Sequence, residues 1–469
     1  MKRHPSAFLT VTASLHLLAL LFVLGALPLA AQDASGYFTV SQVNGVWWLI
    51  DPNGKQVVSR GLDVLQFDDT YVDASGVSAL QQSNLKLYGS VEKWRTAIMQ
   101  RMSDLGFNTA GAWSDPEFLG AHIDATLPLA ETRIVYLGQP FVAEKFGNDA
   151  WKKPDIFPDV FDPDFKDFAD QAADTACSPV RSNHWFIGWF SDNELSWGAD
   201  WRTHDELLVR FLHLDPQSRG HKAAMALLQA RYSDITAFNT AWKTAYDSWD
   251  ALDADRHIQS PYRTISGAAQ NVAGAPTAVD PGAQSFLADC NAFAGEVAEN
   301  YFRITTEAIR RADPNHLLLG CRFAVPPPKP VIWAAGKYLD VVSFNCYDTN
   351  PTPKIALYAA GSGRPVLIGE FAFRGRDSGL PNTKGAGPIV ATQQDRADDF
   401  EKYVKSALSQ PNLIGYHWFE HADEPKGGRF DGENSNMGVV NLNGDLYTVL
   451  TTRMTQVNAQ AETLHQQAK

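Results

Sequence analysis

Cysteine is scarce: Cys177, Cys290, Cys321 and Cys346 are the only four in 469 residues. Four thiols in so long a chain make no disulfide framework, and no CxxC or HExxH spacing suggests a metal or redox centre. Neither a catalytic metal nor a cofactor is therefore expected. Cys321 and Cys346 lie inside apolar, strand-like runs, where a buried free thiol is the ordinary outcome. A glycine-rich phosphate loop is also missing after the first strand pattern, which weakens a doubly wound nucleotide-binding fold. Positive charge is in short supply, with 40 Lys and Arg against 53 Asp and Glu and a net charge of −13. So acidic a surface repels phosphate backbones and makes nucleic acid a poor partner, while a neutral ligand meets no such penalty.

Long apolar runs are missing except at the start. Lys2, Arg3 and His4 precede an apolar run from about Leu15 to Ala31, and small residues then lead into Gln32 and Asp33. This is the layout of a secretory signal peptide over residues 1–31, with cleavage near Ala31. The rival reading is an uncleaved anchor, but the run is short for a span of ~20 residues. No Cys stands at the cleavage point to carry a lipid. After cleavage the chain is expected to be soluble, with no membrane partner, and secreted or periplasmic. Its oligomeric state is not legible.

What remains is 45% hydrophobic and 20% charged, the composition of a folded globular protein. Eight short apolar segments recur in it. The first follows a hairpin signal, V-W-W-L-I-D, then P-N-G-K, then Q-V-V-S-R-G-L-D. Pro52, Asn53 and Gly54 make its turn, because Asn and Gly tolerate positive φ. The other seven start at Phe107, Thr132, Trp185, His316, Asp340, Pro365 and Leu413. Each is continuously apolar, as a strand buried on both faces requires, and each ends in polar or aromatic residues. Helical spacing lies between them, as in Phe286, Cys290, Phe293, Val297, Tyr301, Ile304 and Ala308 before the stop at Asp313-Pro314, and again from Gln393 to Leu408. The alternation predicts an α/β fold, a single (β/α)8 TIM barrel over residues 32–469, with a doubly wound sheet as runner-up. An insertion of about residues 197–282 follows strand four. It carries two helical pieces, the second capped by Ser233 or Asp234, and a Gly/Ala/Pro-rich loop at 266–282. Loops at this end wall a barrel's active site.

Barrel enzymes place their chemistry at the C-terminal ends of the strands. Glu194, directly after Asn193, ends strand four, and Glu370 ends strand seven in I-G-E. Taken singly, a strand-end Glu is more often a salt-bridge or capping residue. Together across one mouth they make the pair that glycosidic cleavage needs, an acid for the leaving oxygen and a carboxylate for the anomeric carbon. A carboxyl separation of about 5–5.5 Å marks retention and ~6.5–9.5 Å inversion. Tyr347, ending strand six, can hydrogen-bond Glu370 and hold it ionised. Asn345 faces the same way, with Cys346 on the other side. Trp418 and Trp113 end strands eight and two and are candidate platforms for a sugar ring, although most of the 13 Trp must serve packing. Arg60, Asp63, Asp192, His417, Glu420, Glu424, Arg429 and Asp431 are candidates for hydroxyl contacts, beside the plainer reading that polar loop residues pair with one another.

At this point a resemblance emerges. Asn193-Glu194 and Glu370 are similar to the pattern of glycoside hydrolase clan A. The strings W-W-L-I-D-P-N-G, F-I-G-W-F-S-D-N-E-L-S-W-G, L-G-C-R-F-A, V-V-S-F-N-C-Y, V-L-I-G-E-F, G-Y-H-W-F-E and G-R-F-D-G-E-N-S-N-M-G resemble the catalytic domain of family 50, the β-agarases. Q-A-R-Y-S-D-I-T-A-F-N-T-A-W also resembles, more distantly, the family 42 β-galactosidases. The likeness runs from about Val46 to Leu450. It implies retaining cleavage of β-1,4-galactosidic bonds in agarose or its oligosaccharides, with a neutral polysaccharide or oligosaccharide as partner. Glu194 then matches the family's acid/base and Glu370 its nucleophile. The sequence departs in lacking the large N-terminal carbohydrate-binding region often found ahead of that barrel, and in the segment F-A-F-R-G-R-D-S-G after Glu370. The alternatives are a β-galactosidase or β-glucanase on another neutral glycan, and a non-catalytic sugar-binding barrel. Exo action would need a blocked cleft, for which the 266–282 loop is a candidate.

Overall fold

The eight apolar segments fold as eight parallel strands: β1 (Ser59–Leu62), β2 (Thr109–Ala110), β3 (Ala130–Val135), β4 (Phe186–Ser191), β5 (Leu317–Gly320), β6 (Val342–Asn345), β7 (Val366–Phe371) and β8 (Leu413–Trp418). They were obtained from a computed structural model that describes residues 36–68, 78–120, 129–148, 150, 153, 156–261 and 283–468. The expected leader and the 266–282 loop lie outside the described residues. Strand pairing runs β5-β4-β3-β2-β1-β8-β7-β6. The two ends of that order meet through backbone bonds, Val341 N to Leu318 O at 3.1 Å, Phe323 N to Ser343 O at 3.1 Å and Asn345 N to Phe323 O at 2.9 Å. The result is the expected (β/α)8 barrel.

Helices cover the outside. Gln284–Ala312 buries every apolar position its sequence spacing marked, from Phe286 to Ala308. The stop after it is built by Asp313, whose Oδ2 accepts from Trp189 Nε1 at 2.8 Å and bonds His316 Nδ1 at 2.7 Å. Gln393–Leu408 is closed by a capping box between Thr392 and Asp395. Between β2 and β3 the described residues hold only the 3-10 turn Pro116–Gly120. Among the described residues the stretch after β4 carries four helices rather than two, Leu207–Leu212, Arg219–Arg231, Ile235–Trp242 and Trp249–Ala254. Two of these are six residues long, too short to print a helical period. Asp234 is the cap of the third, accepting from Ala237 N at 2.9 Å.

The expected hairpin turn is present: Asp51 Oδ1 accepts from Asn53 N and Lys55 N, both at 2.9 Å, and Gly54 takes φ +83°. Its strands, Thr39–Val43, Val46–Ile50 and Gln56–Val57, form a small antiparallel sheet. Leu49 from this sheet and Phe38 just before it pack into the barrel interior with Ile187, Phe190, Leu319, Leu367 and Ile414. Ile187 and Phe190 both face inward although three residues apart. The strand register breaks between Trp189 and Phe190, which lets the alternation shift. The interior is thus a stack of apolar side chains, plugged below by the hairpin and topped by Phe190.

Candidate active site

Just above Phe190 the backbone leaves its ordinary range. Val64, Trp113, Asp192, Glu194 and Arg322 all have φ between +49° and +60°, and all follow directly on β1, β2, β4 or β5. Left-handed backbone costs a non-glycine residue of order 1–3 kcal/mol, and such residues gather where side chains must be aimed. At Glu194 the turn is fixed from both sides: its N–H donates to Cys321 O at 3.2 Å, and its carbonyl accepts from Arg202 Nη1 at 2.6 Å. Arg202 is itself held by Asp200 at 2.7 Å.

Arg322 is the hub. Its side chain is fully buried and lies between the faces of Trp113 and Phe190, 4.9 and 4.8 Å from their ring centroids. Nε donates to Asn193 Oδ1 at 2.8 Å; Nη2 donates to Glu370 Oε1 at 2.7 Å, to Gly369 O at 3.1 Å and to Asp63 Oδ2 at 3.2 Å. One guanidinium therefore ties the residue before Glu194 to the Glu370 carboxylate, and a buried charge so paired is a rigid fixture. On the other flank Tyr347 OH donates to Glu370 Oε2 at 2.6 Å, the bond its strand-end position predicts. Asn345, facing the same way, donates from Nδ2 to Glu194 Oε1 at 2.7 Å. The two glutamates are thus joined through Arg322 and Asn193 on one side, and on the other through Asn345 at the end of β6 and Tyr347 two residues beyond it.

Electrostatics follow from this layout. Glu370 is raised to about 7: burial pushes it up most, Arg322 pulls it down, and the charges of Glu194 and Asp63 push it up. Tyr347 is raised well above the ordinary phenol by burial and by Glu370, so it stays a donor. Glu370 is 5% exposed while Glu194 is half-buried. The less solvated carboxylate carries the two strong donors.

The remaining candidates divide. Asp63 is buried beneath Arg322 and accepts from Ala112 N at 2.9 Å. His417 is buried beside it, Nε2 on Ser59 Oγ at 2.9 Å and Nδ1 3.6 Å from Asp63. Asp192 is buried and receives the N–H groups of Leu137, Gly138 and Gln139 at 2.7–3.2 Å and the Tyr301 hydroxyl at 2.7 Å, so it caps the helix Gly138–Phe146. Trp418 is fully buried, edge-on to Phe371 and bonded to Met437 O, with no face open to a ligand. Trp113 is half-buried and bonds Tyr136 OH at 2.7 Å. Arg60 turns away from the mouth, to Glu462 and Gly106 O. After β8, Arg429 gathers Glu420, Glu424, Asp431 and Glu433 within 2.8–3.7 Å. Burial lifts Glu420 to about 8 and, with the charge of Glu420, Glu424 to about 10.

Arg322 had a signal in the sequence, an Arg inside the apolar run L-L-L-G-C-R-F, since a buried cation must have partners. Trp201 and Phe430 had none. They are exposed rings, 66% and 60%, each resting on the guanidinium of the next or preceding residue, Arg202 at 4.6 Å and Arg429 at 5.7 Å. Among the described residues no group of three His, Cys, Asp or Glu is placed to hold a metal ion.

A (β/α)8 barrel with two glutamates across its mouth, on β4 and β7, is the architecture of a large class of glycoside hydrolases. No family model matches the chain. It is 30% identical to β-agarase A of Vibrio sp. (strain JT0107) over 478 aligned positions, 88% of this chain but 44% of that protein. The solved structure of PfGH50B superposes with a TM-score of 0.73 at 25% identity, covering 92% of this chain and 67% of that one. A β-galactosidase from Halorubrum lacusprofundi shares the fold at 13% identity, with a TM-score of 0.52 over 80% of this chain and 57% of that one. The chain is a relative of the family 50 β-agarases, spanning less than half the length of the curated one.

Proposed function

We propose that the chain is an exported retaining glycoside hydrolase that cleaves β-galactosidic bonds in agarose-like galactans or their oligosaccharides. The observation that carries the reading is the double link between Glu194 and Glu370, through Arg322 and through Asn345-Tyr347. Glu370, gripped by Arg322 and Tyr347, attacks the anomeric carbon as a carboxylate. Glu194 gives its proton to the departing oxygen, then takes one from the water that opens the glycosyl ester, returning both groups to their starting state. The Tyr347 hydroxyl and Arg322 guanidinium disperse the nucleophile's charge before attack and receive it back on hydrolysis. The relatives' agarase activity supports the substrate class, and the basic, then apolar start of the sequence supports export. Among the described residues no helix is long and apolar enough to cross a membrane.

Product stereochemistry tests the mechanism. The first product formed from agaro-oligosaccharides, followed by NMR, carries the β configuration; an α product ends the retaining reading. Glu370→Ala loses almost all turnover, and azide restores part of it as an α-glycosyl azide. Glu194→Ala with an activated aryl glycoside gives the β-azide instead. Comparison of reducing-sugar release from agarose, other β-galactans and β-glucans fixes the substrate class.

A further inference from the structure

From Asp192 to Glu206 the chain leaving β4 forms neither helix nor strand, yet every residue from Leu195 to Asp200 is buried. Buried backbone must find hydrogen-bond partners, and here two arginines supply them. Arg202 Nη1 donates to Glu194 O at 2.6 Å; Arg210 Nη2 donates to Ser196 O at 2.7 Å and to Gly198 O at 3.4 Å. Alternate carbonyls thus meet guanidinium groups where a strand would meet its neighbour. The arginines are themselves held. Arg202 bonds Asp200 through Nε and Nη2 at 2.7–3.3 Å, and Asp200 also accepts from Ser196 Oγ at 3.1 Å. Arg210 is buried on the helix Leu207–Leu212 and faces the charges of Asp200 and Glu206, while Glu206 accepts from Ala199 N at 3.2 Å. Between them Trp197 stacks on Phe302, ring centroids 5.5 Å apart.

Glu194 is the first residue of this braced segment, and its left-handed φ of +54° is a conformation that surrounding contacts must enforce. We propose that Arg202 is a positioning residue for the acid/base. By gripping the Glu194 carbonyl, with Asp200 and Arg210 fixing the segment behind it, Arg202 aims the Glu194 carboxyl at the departing oxygen. The inference rests on the hydrolase reading above. Glu370 takes its bonds from Arg322 and Tyr347, outside this segment. Loosening the segment therefore disturbs proton donation and leaves nucleophilic attack in place. A displacement of about 1 Å is enough to cost about 100-fold in rate.

The test separates the two roles by leaving group. The dinitrophenyl and phenyl β-glycosides of one agaro-oligosaccharide carry the same ring, but dinitrophenolate departs without a proton while the phenyl oxygen needs one from Glu194. Neither aglycone is a sugar, so lost sugar contacts beyond the cleaved bond do not enter. In Arg202→Met the ratio of kcat/KM for the phenyl glycoside to that for the dinitrophenyl glycoside falls about 100-fold. The fall is smaller but present in Arg202→Lys, which keeps a cation beside Asp200 and decides the matter should the first variant not fold. An equal loss on both substrates marks a general structural role and overturns the proposal, as does full activity on both, and either result leaves the hydrolase reading intact. Failure of the unaltered protein to cleave either glycoside or the parent oligosaccharide overturns that reading as well.

Discussion

Removing the Arg322 guanidinium is the sharpest perturbation the site offers. Arg322→Met keeps an apolar chain between Trp113 and Phe190 but deletes the bonds to Glu370, Asp63, Asn193 and Gly369 O. Asp63 and Glu370 are then buried carboxylates without their cation, and breaking a buried pair in this way costs about 3–5 kcal/mol. An unfolding entropy of about 2.1 cal/mol/K per residue over 469 residues is about 1 kcal/mol/K, so Tm falls by about 4 °C. Activity loses more. On the proposed mechanism, a charged hydrogen bond to Glu370 is worth about 1.5–3 kcal/mol, or roughly ten- to 150-fold in kcat/KM. The pH profile carries the signature. Glu370 stands near 7 because Arg322 offsets part of its burial; without that pull its pKa rises, and the acid limb of kcat/KM moves to higher pH. Differential scanning calorimetry and initial rates from pH 5 to 9 read both effects. An acid limb that stays in place, with stability unchanged, refutes the assignment of Arg322 as the counter-charge of Glu370.

Three further outcomes follow from the same geometry. Tyr347→Phe removes the 2.6 Å bond to Glu370 Oε2 and lowers kcat/KM by about ten- to 100-fold with little change in Tm, measured by steady-state kinetics. Gly111→Ala places a methyl group 1.8 Å from Asp63 Oδ1, so Asp63 must leave Ala112 N and Arg322; overpacking of this kind costs about 1–3 kcal/mol, and activity falls with stability in thermal and kinetic assays. His421, held down to about 3 by burial and then by Arg101, stays neutral in the fold while its unfolded form takes a proton below about 6.5. Stability contributed above that pH is therefore lost on acidification, by about 1.4 kcal/mol per unit down to about 3, and a plot of Tm against pH is flatter for His421→Gln.

The barrel was legible because its strands are buried on both faces and print unbroken apolar runs, and because Gln284–Ala312 is long enough to show eight turns of periodicity. The placement of Glu194 and Glu370 at the same end of the barrel, and the Tyr347 bond to Glu370, were legible from strand-end position. Trp418 was not: its place at the end of β8 suits a platform equally well, but the chain after it folds back so that Met437 O and Phe371 enclose the ring. Asp192 reads as a mouth carboxylate in sequence, yet the helix beginning at Gly138 needs an acceptor for its free N–H groups, and Asp192 supplies it. Both outcomes depend on contacts between residues far apart in the chain, which no local pattern records. Trp201 escaped for the opposite reason: its neighbour Arg202 is adjacent in sequence, but only the turn at Asp200 sets the two planes together.

The hairpin below the barrel bears on traffic. With Phe38 and Leu49 packed against Ile187 and Leu367, the barrel interior has an apolar floor at that end. A long glycan cannot thread such a vessel from end to end. Under the proposed hydrolase reading, a chain would be draped over the rim with one linkage bent down between the two carboxylates. How far a chain end or a chain middle can make that bend is then decided entirely by the loops around the opening.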